Sequence, residues 1–162
     1  MIIFLNGSIN AGKSTVAKLL TKELPNTALV EIDAFHEMID WMPIDQSIPL
    51  NLENAVSVIT NFAKRNLNVI IPYPLSQKNY DFLMENLKDL NVDIRVFTLA
   101  PQLEKVLTNR GARELSDLEK ERIQHHYDIG IPSPTFGEVI DNTGQTPGET
   151  AEYILTRVKA QG

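Results

Sequence analysis

Hydrophobic and polar positions along the chain follow two alternating patterns. Short continuous apolar runs, typical of strands buried on both faces, occupy residues 2–6, 27–33, 67–74, 93–99 and 136–142. Between these runs, apolar residues recur at helical spacing, as they do at Val16, Leu19, Leu20 and Leu24 in the first such stretch. This alternation predicts an α/β fold in which helices cover both faces of one open, mostly parallel sheet.

Further helices are predicted from the same spacing and from residues that favour helix ends. They cover 52–65 and 76–90, and others begin near Pro101, Ser116 and Thr146. Ser116 with Glu119 and Thr146 with Glu149 have the spacing of capping boxes, which mark helix starts. The two prolines within residues 34–50 favour a short helix followed by a loop.

Composition limits the classes of protein that this chain can be. Its 162 residues, 43% apolar and 22% charged, suit one globular domain over residues 1–162. A formal net charge of -6 without a basic tract disfavours a nucleic-acid groove that works by charge. The absence of cysteine excludes disulfides and thiolate metal sites. No signal peptide or membrane-spanning apolar run is recognisable, so we expect a cytoplasmic protein.

A phosphate-binding motif follows the first apolar run. Residues 7–14 match the pattern G-x-x-x-x-G-K-[ST] between a predicted strand and a predicted helix. A glycine-rich turn can direct several backbone N–H groups at one anion, and the following helix adds the positive end of its dipole. Lys13 can reach the β- and γ-phosphates of a triphosphate, and the Ser14 hydroxyl can ligate Mg²⁺. The predicted nucleotide-binding residues here are Gly7, Ser8, Asn10, Ala11, Gly12, Lys13, Ser14 and Thr15.

Asp33 is a candidate general base. It ends the predicted second strand, and therefore lies at the carboxyl edge of the sheet, where ligands bind in such folds. A carboxylate there can deprotonate an acceptor hydroxyl during phosphoryl transfer. An aspartate before a helix is also a preferred N-cap, and the two roles are compatible. Glu31, on the same face of a predicted edge strand, needs no function.

Residues 109–117 form a polar turn between two predicted helices and contain Arg110, Gly111 and Arg113. A mobile arginine can neutralise the charge that builds up on the transferred phosphoryl oxygens while it excludes water. The turn therefore suits a lid over about residues 109–118. Two solvated arginines at a helix end are the alternative interpretation.

The motifs together resemble those of a known family. Residues 4–15, 30–39, 109–127 and 139–154 are similar to the small P-loop kinases of the nucleoside, shikimate and gluconate kinase group. Within that group the chain most resembles the chloramphenicol phosphotransferase-like proteins, over nearly its whole length. The resemblance implies a three-layer P-loop NTPase fold, in which a five-stranded parallel sheet has the order 2-3-1-4-5.

The resemblance also implies roles for particular residues. Asp33 would be the catalytic base, together with Lys13 and Arg113 as catalytic residues. Arg110 would lie near the adenine, Arg113 near the phosphates, and base contacts would come from around Thr143 to Pro147. The third strand departs from the family pattern, because residues 69–76 contain no aspartate. Mg²⁺ would then rest on Ser14, phosphate oxygens and water.

The acceptor pocket is expected between Asp33 and the end of the third strand. Aromatic and neutral polar side chains there suit an uncharged or weakly charged hydroxylated molecule; the candidates are Phe35, His36, Trp41, Tyr73, Ser76 and Gln77. The alternative to a cavity position is a core position for Phe35 and Trp41. For His36 the alternative is a capping or solvated side chain. His125 and His126 are adjacent and cannot share a helix face as metal ligands at i and i+4 would, so no metal is assigned to them.

We therefore expect an ATP-dependent and Mg²⁺-dependent kinase that phosphorylates a hydroxyl of a small metabolite or antibiotic, as a monomer or a homodimer without membrane attachment. One alternative is an NTP-hydrolysing switch or binding module, which the missing carboxylate on the third strand would suit. Another is a nucleic-acid end kinase, which the net negative charge disfavours.

Overall fold

A computed structural model of the chain describes residues 1–108 and 114–160. All five predicted strands are present: β1 (Ile2–Gly7), β2 (Thr27–Leu29), β3 (Asn68–Pro72), β4 (Ile94–Leu99) and β5 (Glu138–Ile140). They form one parallel sheet with the order β2-β3-β1-β4-β5, which confirms the predicted topology. β1 lies at the centre and is fully buried along its length, because each of its faces is covered by helices.

Helices connect the strands and cover both faces of the sheet. They are α1 (Lys13–Glu23), α2 (Asp33–Glu37), α3 (Ile44–Ala63), α4 (Gln77–Leu87), α5 (Leu103–Val106), α6 (Asp117–Asp128) and α7 (Pro147–Lys159). A 3₁₀ turn, Lys88–Leu90, extends α4. None of the helices within the described ranges is long and apolar enough to cross a membrane.

Two apolar clusters hold the layers together, one on each face of the sheet. Ile3 and Leu5 of β1 point into a cluster with residues of α1, α6 and α7. Ile2 and Phe4 point to the other face, where residues of α3 and α4 pack on them. Successive side chains of a strand alternate between faces, so a continuous apolar run can serve both clusters.

Three segments differ from the prediction, and one of them is β5, which covers only Glu138–Ile140. α3 begins at Ile44 rather than at residue 52, and Pro49 lies inside it. Burial of Leu52, Ala55 and Ile59 on the sheet offsets the hydrogen bond that the proline cannot make. Edge strand β2 ends at Leu29 rather than at residue 33, because the chain then turns into α2.

Both predicted capping boxes are formed. Oγ of Ser116 accepts a hydrogen bond from the Glu119 N–H at 3.2 Å, and the Glu119 carboxylate accepts one from the Ser116 N–H at 2.9 Å. Thr146 and Glu149 repeat this arrangement at the start of α7. The capping boxes fix where α6 and α7 begin, which sets the positions of their side chains relative to the sheet.

Candidate active site

The phosphate loop joins β1 to α1 in a backbone conformation that glycine permits. Gly7 has φ 139°, and a Cβ atom there would lie 2.5 Å from the carbonyl oxygen of Leu99. Gly12, immediately before α1, has φ 99°. A larger residue at either position would strain the backbone. The loop can therefore curl so that its N–H groups and the α1 N-terminus face a common anion.

Side-chain amides attach the phosphate loop to the surrounding structure. Asn6, fully buried, donates to Oγ1 of Thr98 at 3.0 Å and to the Ile131 carbonyl at 3.1 Å. Asn10 donates to the carbonyl of Val106 at 2.8 Å. Asn142, which follows β5, donates to the Ala11 carbonyl at 3.1 Å. These bonds hold the loop in place before any ligand binds, which lowers the cost of ordering it.

Lys13 is the cation of the loop. Its Nζ donates to the carbonyl oxygen of Ser8 at 2.7 Å, and the residue is half-buried. Burial lowers the pKa of Lys13 to about 8, against the opposing effect of the Asp33 charge. A phosphate anion at this point would compensate for the lost hydration, so the site favours a negatively charged ligand.

Asp33 is the first residue of α2 rather than the last of a strand. The N-cap position belongs to Ile32, and the helix start has no side-chain capping bond. The Asp33 carboxylate lies close enough to Lys13 for each charge to affect the pKa of the other. Partial burial raises the pKa of Asp33, while the positive charges of Lys13 and Arg122 lower it. The carboxylate therefore lies beside the phosphate loop, and the alternative of a capping role has no bond to support it.

Arg122 is a site residue that the sequence analysis missed. It stands on α6, opens onto the same cavity as Asp33, and its charge lowers the pKa of that carboxyl. The signal in the sequence was weak, because a charged residue on a polar helix is usually a solvated one. Its four-residue spacing from His126, which places both on one helix face, is the pattern that could have revealed it.

His126 is buried and lies against the phosphate loop. Its Nδ1 is 3.2 Å from Oγ of Ser8. Burial first, and then the nearby charges of Lys13 and Arg122, lower the pKa of His126 to about 4. The imidazole is therefore neutral near pH 7. Within residues 1–108 and 114–160 no three His, Cys, Asp or Glu side chains are arranged to hold a metal ion.

Two adjoining cavities open beside this cluster. The smaller, of about 270 Å³, is lined by Asp33 and His36 together with Asn51 of α3. The larger, of about 520 Å³, extends between α3, α4 and α6. The two share five lining residues, Ile48, Tyr73, Pro74, Arg122 and His126. The two cavities therefore adjoin along a shared wall, and Asp33 lines the smaller one.

Three of the predicted acceptor residues line these cavities. His36 lines the smaller, Ser76 the larger, and Tyr73 both. Burial, together with the Asp33 charge, raises the pKa of Tyr73 to about 12, so that its hydroxyl stays protonated and can donate. Oγ of Ser47 lies 2.8 Å from Nδ1 of His36, which fixes that ring.

Three other predicted acceptor residues lie elsewhere. Phe35 packs against the apolar cluster of α3 and α4. The Gln77 side chain donates to Asp81 and accepts from Thr135. Trp41 is 76% exposed, so its alternative core position is not observed either. Local hydrophobicity could not separate these residues from the true cavity walls.

The remaining predicted residues concern the lid, the adenine contacts and the Mg²⁺ ligand. Arg110 and Arg113 lie outside the described residues. The Thr143 hydroxyl accepts a hydrogen bond from the Gln102 N–H at 2.9 Å and donates one to Asp141, while Pro147 is exposed at the start of α7.

Ser14 is exposed at the start of α1 and offers the hard oxygen that Mg²⁺ prefers. β3 ends at Pro72 and is followed by Tyr73 and Pro74, so no carboxylate stands there.

The sheet order, the glycine-rich loop and the lysine at the start of α1 define a P-loop kinase. The model of the chloramphenicol phosphotransferase-like protein family matches residues 1–159, and the chain belongs to that family. It is thus an ATP-dependent phosphotransferase. No curated protein matches the chain.

Solved structures share the fold. The tunicamycin resistance protein of Deinococcus radiodurans has 23% identity and a TM-score of 0.73, over 97% of this chain and 94% of that one. A sugar kinase from Janibacter sp. has 19% identity and a TM-score of 0.75, over 98% and 94%. A gluconokinase from Sinorhizobium meliloti has 17% identity and a TM-score of 0.67, over 99% and 96%. At these identities the likeness concerns the fold.

Proposed function

We propose that the protein transfers the γ-phosphoryl group of ATP to a hydroxyl of a small, uncharged or weakly charged acceptor. The observation that carries this proposal is the position of Asp33. Its carboxylate opens onto a cavity beside the phosphate loop, within the electrostatic reach of both Lys13 and Arg122. This places a candidate base, two cations and a cavity next to one another, which supports the proposed phosphoryl transfer to an alcohol.

ATP would bind through the phosphate loop. The loop N–H groups and the α1 N-terminus would bind the β-phosphate, and Lys13 would move from the Ser8 carbonyl to the β- and γ-phosphates. Arg110 and the segment Thr143 to Pro147 would contact the adenine. Ser14 would hold Mg²⁺, which when bound neutralises charge on the phosphate oxygens. The other ligands would be phosphate oxygens and water.

In the transfer step the acceptor oxygen would form a bond to the γ-phosphorus while the bond to the β-γ bridging oxygen breaks. The hydroxyl proton would pass to the Asp33 carboxylate, and ADP would leave. Arg122, and Arg113 from the predicted lid, would neutralise the charge on the equatorial oxygens. Because the reaction consumes ATP, we assign it to the cytoplasm.

The cavities favour an acceptor with a polar reactive end and an apolar body. The smaller cavity carries the ionisable side chains of Asp33 and Glu37, whereas Leu52, Phe82 and Ile129 contribute apolar surface to the larger one. The family name and the name of the Deinococcus relative refer to two antibiotics, chloramphenicol and tunicamycin. Both belong in a substrate screen beside ordinary metabolites.

The lack of a carboxylate at the end of β3 would suit the alternative of a switch or binding module, which membership of the family disfavours. Such a module would need no acceptor cavity, and here two adjoin the base. The net charge of -6 argues against a nucleic-acid end kinase.

The test is a panel of alcohols incubated with ATP and Mg²⁺, with ADP release and phosphorylated product both measured. The panel includes nucleosides, sugars, shikimate, chloramphenicol and tunicamycin. We expect at least one alcohol to stimulate turnover and to be recovered as its phosphate ester. ADP release that no alcohol alters, with inorganic phosphate as the product, would support the switch instead.

A further inference from the structure

Asn51 is a buried amide beside the candidate base. It is only 4% exposed, and its Oδ1 has no hydrogen-bond partner among residues 1–108 and 114–160. It lines the smaller cavity together with Asp33. A buried carbonyl without a donor lowers stability, so the position calls for an explanation.

The other polar groups nearby have structural explanations. Ser47, one helical turn before Asn51, is fully buried, but its hydroxyl is bonded to His36 and donates to the Ile44 carbonyl. Asn142 also has an unpaired Oδ1, yet its Nδ2 binds the phosphate loop at Ala11. Asn51 has no comparable bond to the phosphate loop.

The next turns of α3 show what packing alone would favour. Leu52, Ala55 and Ile59, which follow Asn51, are apolar and buried against the sheet. Leucine has the same number and branching of side-chain heavy atoms as asparagine and carries no unpaired oxygen. The amide of Asn51 is therefore better explained by a ligand than by the core.

We propose that Asn51 is a specificity-determining residue, which binds a second hydrogen-bonding group of the acceptor while Asp33 receives the reactive hydroxyl. This inference rests on the proposed kinase function. A carboxamide offers an acceptor oxygen and two N–H donors, so it matches a neutral hydroxyl or amide. The charged side chains in the same wall are of both signs, Asp33 and Glu37 against Arg122, so the preference for a neutral group rests on the amide itself.

The experiment uses matched acceptors that differ by one hydroxyl. The pairs are D-ribose and 2-deoxy-D-ribose, D-glucose and 2-deoxy-D-glucose, and adenosine and 2′-deoxyadenosine, added to any alcohol found by the panel and its deoxy analogue. Asn51→Leu is compared with wild type and with Asn54→Leu, an exposed amide on the same helix. Asn51→Ala serves as a second variant if the leucine does not fit.

We expect Asn51→Leu to raise the KM of the hydroxylated acceptor about tenfold or more, with a smaller effect on the KM for ATP. The rise in KM caused by Asn51→Leu should be smaller with the deoxy analogue, because that analogue lacks the hydroxyl that Asn51 would bind. The melting temperature of the free protein should stay the same or rise, and Asn54→Leu should behave as wild type.

Two outcomes would overturn the assignment while the kinase function stands. One is an unchanged acceptor KM with a lowered melting temperature, which would make the amide structural. The other is an equal loss for both members of a pair. If wild type phosphorylates no alcohol at all, the kinase proposal fails, and this assignment fails with it.

Discussion

Oγ of Ser8 in the phosphate loop lies 3.2 Å from Nδ1 of His126 on α6. This contact joins the nucleotide side of the site to the helix that follows the predicted lid. Arg122 stands one turn earlier on the same helix and lines the same two cavities. A displacement of α6 would therefore alter the phosphate loop and the two cavities together.

The contact makes stability dependent on pH through His126. Its folded-state pKa of about 4 lies below the ordinary value of 6.5, because burial and the charges of Lys13, Arg122 and His125 disfavour the imidazolium. The unfolded chain takes up the proton first, so this contribution is intact above pH 6.5 and is lost as pH falls towards 4. In thermal melts from pH 7 to 4, wild type should lose stability relative to His126→Asn. The exposed His125→Asn should follow wild type, and parallel curves for all three proteins would contradict the prediction.

ATP binding should take up a proton at Lys13. The pKa of this ammonium is lowered to about 8 in the free protein, and triphosphate oxygens beside it would raise it. At pH 8 about half of the lysines are neutral, so roughly half a proton is taken up per ATP bound, and affinity falls as pH rises further. Titration calorimetry in buffers with different ionisation enthalpies measures the uptake. Lys13→Met should bind ATP weakly and take up no proton when it does. Proton uptake near zero in the wild-type protein would contradict the prediction for Lys13.

Asp33→Asn should reduce transfer to the acceptor by roughly 10²- to 10⁴-fold, the usual contribution of a general base. ATP affinity should change little, and the free energy of unfolding should fall by less than about 1 kcal/mol, since the carboxylate makes no capping bond. Glu31→Gln removes the neighbouring exposed carboxylate and is the control. Recovery of the activity of Asp33→Asn at high Mg²⁺ would instead indicate a metal-linked role.

Arg122→Met should move the acidic limb of the kcat/KM profile to higher pH. The reason is that Arg122 lowers the pKa of Asp33, and the base must be deprotonated to act. Turnover at the optimum should also fall, by about 10- to 10³-fold, if the guanidinium contacts the transferred group. Lys120→Met, an exposed cation on the same helix, is the matched control. An unmoved limb would show that Arg122 acts through the acceptor alone.

Local patterns were sufficient for the centre of the fold. The continuous apolar runs gave β1, β3 and β4 to within two residues, because a strand buried on both faces has no polar alternation to blur it. The edge strands β2 and β5 are shorter than predicted, with three residues each. A strand that pairs on one side only can end after fewer residues, and the apolar pattern does not indicate the residue at which it ends.

The proposed acceptor side of the candidate site depends on contacts between distant elements, and this is why the sequence predicted it poorly. His126 is separated from Ser8 by 118 positions, and no local pattern marks their contact. Asn51 lay near the boundary between a predicted loop and a predicted helix, where its burial could not be foreseen. The phosphate loop was predictable because its function resides in one short contiguous segment.

The central position of β1 also governs how the chain reaches its folded state. The strand gains its hydrogen bonds from residues 69–72 on one side and 94–99 on the other. Long segments must therefore be brought together before the sheet centre exists, and such high contact order slows folding. The phosphate loop, which follows β1, therefore cannot fold as an isolated local motif. ATP will bind only chains in which the sheet has assembled, and its presence should slow their unfolding and protect them from proteolysis.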